Sequence, residues 1–226
     1  MNVVNFSGGK DSTAMLLMML EKDMQVDRII CVDTTKEFPQ MYKHIQKVQA
    51  MIEPLKIEVT KIDFDYWFGE HIKTKGKSKG EKGYGWPDFR NRWCTALKRQ
   101  AVKNAISDDA IQLHGIAFDE KERANNNTSR NIQYPLIDWQ ITEKQALEYC
   151  YSKGFDWEGL YEKFHRVSCW CCPLSRIGEL RVLYNDFPEL WKELEEMDKK
   201  SFRQFRNDYS VKDLSRKFAT ESKNHK

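Results

Sequence analysis

No apolar run in this chain approaches the length that spans a bilayer, so no transmembrane helix is expected. The first residues also lack the basic-then-apolar pattern of a secretory leader. That absence gives the cytoplasm as the expected location. Charge is nearly balanced, with 37 Lys and Arg against 34 Asp and Glu and a net +3. Such a small excess does not by itself argue for nucleic acid. Cysteine is sparse, at six in 226 residues. A disulfide framework is therefore not expected, and a chain of this length can bury a core without one. No internal repeat is present. Two familiar nucleotide signatures are missing as well: the Gly-x-x-x-x-Gly-Lys-Ser/Thr spacing of a Walker loop and the three spaced glycines of a dinucleotide fold.

What the chain does have begins at its third residue. Val3-Val4-Asn5-Phe6 reads as a short apolar strand, and Met15, Leu16, Met19 and Leu20 follow at helical spacing. Ser7, Gly8, Gly9, Lys10, Asp11 and Ser12 thus sit where a strand ends and a helix begins. Amide groups at a helix start are unpaired and carry the positive end of the helix dipole. Glycines admit an oxyanion to that backbone, and Lys10 adds a full charge. This is chemistry for phosphate or pyrophosphate. The plainer alternative is a tight turn whose serines merely cap the helix.

The first half alternates strand and helix: strand 2–6, helix 10–21, strand 28–32, helix 38–52, strand 57–62, helix 93–106 and strand 110–115. That alternation predicts an α/β fold with a doubly wound, mainly parallel sheet. Residues 7–12, 33–38 and 115–123 all follow strand ends and should share one rim, where such sheets bind ligands. Residues 73–85 break the composition, with lysine alternating with glycine and serine. They predict a mobile loop without a core, either a solvated surface or a basic lid over a polyanion. Residues 134–139 read as extended, with Pro135 biasing Tyr134 to β. Thr142 and Gln145 form a capping box for a helix to about Tyr151, ended by Gly154. From Ser175 the chain is helical, split near Asp186 and Pro188, with the last ten residues frayed. The expected organisation is a nucleotide-binding domain over 1–175 and a helical extension over 176–226 that is not an independent domain.

Cys31 lies in an apolar run and Cys150 on an apolar helix stripe, so both read as core residues. The other four cysteines differ. Cys169-Trp170-Cys171-Cys172-Pro173 contains a Cys-x-x-Cys step, and Cys94 stands far upstream. A zinc site, an iron–sulfur cluster and a redox pair all fit this set. Zinc usually takes two paired knuckles, and Cys94 has no neighbour. Three thiolates with one open iron fit somewhat better, although His114 or His165 could complete a zinc site.

These motifs occur in one order: residues 7–12, then Val32-Asp33-Thr34-Thr35-Lys36-Glu37-Phe38-Pro39-Gln40, then Arg92-Trp93-Cys94-Thr95 with Leu97-Lys98. Gly115-Ile116 follows with Glu120 and Arg123, then Tyr134-Pro135-Leu136-Ile137-Asp138-Trp139, and last Cys169-x-x-Cys172-Pro173. The set resembles the phosphoadenosine phosphosulfate (PAPS) reductase family of the PP-loop ATPase, or adenine nucleotide alpha hydrolase, superfamily. It is most similar to the branch containing the sulfur-transfer component of DNA phosphorothioation. The resemblance covers residues 2–175. It implies that Ser7, Gly8, Gly9, Lys10, Asp11 and Ser12 hold nucleotide phosphates, with Lys10, Asp11 and Arg123 catalytic. It implies that Asp33 and Thr34 lie near the adenosine, and that Gly115 and Glu120 belong to the nucleotide site. Arg92 and Lys98 would hold an anionic group. Cys94, Cys169 and Cys172 would ligate a [4Fe-4S] cluster, with Zn2+ the alternative and the role of Cys171 open.

Two departures bear on the reaction. Thr35 stands where the family has glycine, and Gln40-Met41 where it has Glu-Thr. Residues 217–226 carry no cysteine, whereas the family's reductases use one in a C-terminal tail. The expected activity is therefore ATP-dependent adenylation of an acceptor, with Mg2+ on the triphosphate, followed by sulfur transfer at the cluster. The alternatives are reduction of adenylyl sulfate (APS) or PAPS with release of sulfite, using Cys171 as a substitute nucleophile, and a non-enzymatic zinc-stabilised nucleotide-binding module. Expected partners are the adenine nucleotide, a sulfur donor or thiol reductant, and an acceptor that could be nucleic acid or a small molecule. No membrane partner is expected, and nothing in the sequence sets an oligomeric state.

Overall fold

Val3 and Val4, and then Ile29, Ile30 and Cys31, are consecutive apolar residues, each no more than 3% exposed. A strand buried on both faces belongs to a parallel sheet covered by helices on both sides. The computed structural model, which describes residues 1–125 and 131–224, has that sheet. Its strands are β1 (Asn2–Asn5), β2 (Arg28–Asp33), β3 (Ile57–Lys61), β4 (Ile111–His114) and β5 (Ile132–Gln133). They lie in the order β3-β2-β1-β4-β5, and every pair is parallel. The order reverses between β1 and β4, which is where the ends of parallel strands leave a crevice. The register Asn5↔His114 sets the carboxyl ends of these two strands level.

The connecting helices are α1 (Lys10–Glu21), α2 (Pro39–Met51), α3 (Trp93–Ala105), α4 (Glu122–Asn125), α5 (Pro135–Asp138), α6 (Glu143–Ser152) and α7 (Leu160–Lys163). Three more follow: α8 (Ile177–Asp186), α9 (Pro188–Lys200) and α10 (Val211–Asn224). No helix among the described residues is long and apolar enough to cross a membrane.

The chain forms two compact units. One comprises Met1–Asp33, Glu37–Ile62 and Lys98–Tyr161 and contains the sheet. Ala14, Met15, Leu16 and Met19 of α1 are fully buried in it. The other comprises Thr34–Lys36, Asp63–Leu97 and Glu162–Lys226. Its core is aromatic, with Phe64, Phe68, Trp86 and Trp93 all buried. The indole N–H of Trp86 donates to Asp198 Oδ1 at 2.9 Å, and that of Trp191 to Ser215 Oγ at 2.9 Å. Such pairing lets tryptophan be buried without stranding its polar atom.

Two local expectations are overturned. Residues 134–139 are not an extended run. Only Ile132–Gln133 is strand, and Pro135 opens a single helical turn. Proline suits the first helical position because its missing N–H would be unpaired there anyway. The chain's last residues do not fray through 217–224, since α10 runs to Asn224; residues 225 and 226 lie outside the described residues. Val211, Leu214 and Phe218 are at most 1% exposed. Each such burial is worth about 1.5–3 kcal/mol, enough to hold a terminal helix. Residues 73–85 form a loop, as expected, and its base is closed by backbone contacts. Ile72 bridges Lys82 antiparallel. The N–H of Lys73 donates to Glu81 O at 2.9 Å, and that of Gly80 to Lys73 O at 2.8 Å.

Candidate functional site

Gly9 precedes α1 in extended backbone and makes no side-chain cap. With no cap from Gly9, the Asp11 and Ser12 amides in the first turn of α1 stay open to a ligand. Gly8 has a φ of +75°, a conformation that side chains rarely adopt. Its carbonyl accepts from Trp157 Nε1 at 2.9 Å. Ser7 Oγ and Ser12 Oγ lie 3.0 Å apart, and Ser12 Oγ donates to Gly9 O at 3.0 Å. The Lys10 N–H donates to the hydroxyl of Tyr161 at 2.9 Å. The loop is thus fastened at both ends before any ligand arrives.

Gly115 closes the site from the end of β4. A Cβ there would lie 2.7 Å from both Ser12 Cα and Ser12 N. Backbone cannot retreat as a side chain can, so only glycine fits. This close approach brings the segment after β4 against the start of α1, which places Glu120 beside Asp11. Ligand oxygens of Asp11, Glu120 and Glu143 all lie within 4.8 Å of one another. Lys10 Nζ donates to Glu143 Oε1 at 2.5 Å and to Asp11 Oδ2 at 3.2 Å. Arg123 pairs with Glu120. Asp11 Oδ1 is buried and makes no hydrogen bond.

The charges follow from this packing. Burial pushes the Asp11 carboxyl up to about 6, against the pull of Lys10 and with help from Glu143 and Glu120. Burial alone would lower the Lys10 ammonium, but Asp11 and Glu143 carry it above its ordinary value. Lys10 is therefore a permanent cation, whereas Asp11 is a strained anion near neutral pH.

Magnesium accompanies nucleotides in chemistry of this kind, and the residues present fit it. Asp11, Glu120 and Glu143 supply the hard oxygen donors that Mg2+ takes. The unpaired, buried Asp11 Oδ1 is an acceptor that such an ion would satisfy.

Other predicted residues separate into two sets. Asp33 is buried and accepts from the Tyr42 hydroxyl at 3.0 Å. Lys98 pairs with Glu37 at 3.2 Å. Thr34 belongs to the second unit, where its hydroxyl lies 3.1 Å from Cys169 Sγ. The side chain expected near adenosine thus touches a sulfur. Arg92 is exposed, with its guanidinium 5.7 Å from the centre of the Phe89 ring.

Cys94, Cys169, Cys171 and Cys172 all lie in the second unit. None of the six cysteines is in a disulfide. The segment around Cys169 is held by its backbone. The Trp170 N–H donates to Lys36 O at 3.0 Å, and the Cys172 N–H to Cys169 O at 3.2 Å. Arg206 Nη1 donates to Pro173 O at 2.7 Å and Ser175 O at 2.6 Å. Among the described residues no three of these sulfurs lie within 4.8 Å of one another. Cys171 is 1% exposed. Cys150 and Cys31 are core thiols, each pushed up to about 12 by burial.

Sequence reasoning missed Glu143, Trp157 and Tyr161. Glu143 was visible only as the first residue of a capped helix. No local pattern signals that a residue 133 positions downstream will meet Lys10.

A family model for the phosphoadenosine phosphosulfate reductase domain matches residues 1–175. The chain belongs to the phosphoadenosine phosphosulfate reductase domain family. Membership implies a nucleotide-binding enzyme domain of sulfur metabolism in the PP-loop class. The chain is similar to an uncharacterized protein of Methanocaldococcus jannaschii, 29% identical over 220 residues, which cover 85% of this chain and 40% of that protein. It is also similar to an uncharacterized 37.8 kDa protein of Escherichia phage 186, 22% identical over 242 residues, 83% of this chain and 71% of the relative. The chain thus spans about two-fifths of the length of the archaeal family relative.

Proposed function

We propose that this domain adenylates an acceptor with Mg–ATP at the loop of residues 7–12, and that the cysteines of the second unit handle the sulfur that displaces AMP. This is the activity of a PP-loop sulfurtransferase, of the kind found in the DNA phosphorothioation branch. One observation carries the choice of ATP over a sulfonucleotide. Three carboxylates cluster here, Asp11 and Glu143 paired with Lys10 and Glu120 with Arg123, and they outnumber the two cations. A bare polyanion meets repulsion there; a nucleotide that arrives with a divalent cation does not.

Asp11, Glu120 and Glu143 would hold Mg2+, which when bound neutralises the triphosphate. The open first turn of α1 and the Lys10 ammonium bind the β- and γ-phosphates and stabilise charge on departing pyrophosphate. Gly8 and Gly115 let the backbone approach the phosphates. The acceptor oxygen attacks the α-phosphorus, the bond to pyrophosphate breaks, and the adenylated acceptor results. Cys94, Cys169 and Cys172 would hold the [4Fe-4S] cluster, with Thr34 donating to the Cys169 sulfur. When bound, the cluster supplies an open iron able to carry sulfide. Sulfite release through Cys171 is disfavoured, because an attacking thiolate must be accessible and this one is buried.

The test is calorimetric titration with ATP and with adenylyl sulfate, each with and without Mg2+, alongside ATP–pyrophosphate exchange. Magnesium-dependent ATP binding and exchange are expected. Metal-independent binding of adenylyl sulfate, with thiol-driven sulfite release, would replace this reading by the reductase.

A further inference from the structure

The chain's net +3 conceals a strong local excess. Residues 72–92 hold five lysines and two arginines against Glu81 and Asp88, a net +5, so all other residues together carry −2. These residues lie within the second unit. Lys75, Lys77 and Lys79 at the loop's tip are exposed and make no ion pair with any described residue. Lys73 and Lys82 anchor the base through Glu81 and Glu70.

Beside this charge stand two aromatic rings that folding does not use. Phe89 is 72% exposed and Phe202 is 64% exposed. Each carries a cation: Arg92 lies 5.7 Å from the Phe89 ring centre and Lys73 4.8 Å from that of Phe202. Phe202 sits at the loop's end, where a Cβ on Gly85 would come within 3.1 Å of its ring. Leaving two phenylalanines in water forgoes burial worth about 1.5–3 kcal/mol each.

We infer that residues 72–92 and Phe202 form a docking surface for a single-stranded nucleic acid. Alternating lysines match a chain of phosphates, and exposed rings stack on bases whatever their sequence. A duplex hides its base faces and would leave the rings unused. A lipid surface is a poorer match. The tip Thr74-Lys75-Gly76-Lys77-Ser78-Lys79 has no apolar side chain to insert. The inference rests on the adenylation reading only in giving that reaction an acceptor class. Strand binding itself needs no nucleotide.

The experiment is fluorescence anisotropy of a labelled oligothymidylate of about 20 nucleotides with the full chain, nucleotide-free, across a salt series. Its duplex counterpart and phosphatidylserine vesicles are run alongside. The single strand binds and the duplex binds more weakly. The Lys75→Ala/Lys77→Ala/Lys79→Ala variant flattens the log–log salt slope by roughly 2, at about 0.7 per phosphate contact. Phe202→Ala weakens binding roughly fivefold to tenfold and leaves the slope alone. Both variants alter exposed side chains only and keep ATP affinity. No strand binding at low salt, equal duplex binding, vesicle binding in its place, or variants that match the parent each overturn the inference. Retained ATP binding in those cases leaves the adenylation reading standing, and lost ATP binding with intact strand binding removes only that reading.

Discussion

Lys10 and Lys36 are near twins with different work. Lys10 is 6% exposed and Lys36 is 5% exposed. Each ammonium pairs with two carboxylates, Asp11 and Glu143 for Lys10, Asp65 and Glu193 for Lys36. Each lies over an aromatic ring, Tyr161 at 5.7 Å and Trp170 at 5.6 Å. The difference is in the carboxylates. Asp65 and Glu193 are 63% and 47% exposed, so water serves their remaining oxygens. Asp11 is only 19% exposed, and its buried Oδ1 is an oxygen that nothing serves. Lys36 is a tether whose carbonyl also takes the Trp170 N–H beside Cys169. Lys10 sits in an arrangement that a ligand would complete. A buried lysine between two acids is thus not a candidate site in itself; the unserved acceptor beside Lys10 is what marks one.

That comparison breaks most easily at the lysines themselves. Lys10→Gln should lower ATP affinity about a hundredfold in calorimetry, since it removes a charge-assisted contact worth up to about 3 kcal/mol. Lys36→Met should leave ATP affinity alone and cost about 2 kcal/mol in chemical denaturation, because its partners stay hydrated. Exchanged outcomes would reverse the two roles.

The next effect concerns pH. Asp11 is raised from 3.8 to about 6 in the folded chain. Between those values the folded state holds a proton that the unfolded state has released. Metal-free protein should therefore lose stability as pH rises from about 4 to about 6, by on the order of 2 kcal/mol. Asp11→Asn should remove that dependence and stabilise the neutral protein in chelator, while weakening magnesium-dependent nucleotide binding. A variant less stable at pH 7 would make Asp11 a structural partner of Lys10.

The smallest effect tests the second unit. Thr34→Val should cost about 1 kcal/mol, the worth of one hydrogen bond, with no change in ATP affinity. A tenfold loss of ATP affinity would return Thr34 to the adenosine.

Much of the site was legible because its rules are local. A strand, two glycines, a lysine and a helix start are contiguous, and α1 spans the residues that the periodicity predicts. The parallel sheet followed from alternation, and the capping box at Thr142 from its two residues. The extended reading of residues 134–139 failed because proline admits both a β residue before it and a helix after it. The frayed-tail reading failed because Val211, Leu214 and Phe218 are unremarkable until α8 and α9 cover them.

The sequence by itself determined the fold class, the strand–glycine–helix turn of residues 7–12 and the family, because each rests on contiguous residues or on motifs in order. Tertiary structure alone decided which acids face Lys10, that Gly115 can be nothing else, that Thr34 addresses a sulfur and that Cys171 is shut away. Those are matters of distance and solvent access between residues remote in the chain, and neither exists before the chain has packed.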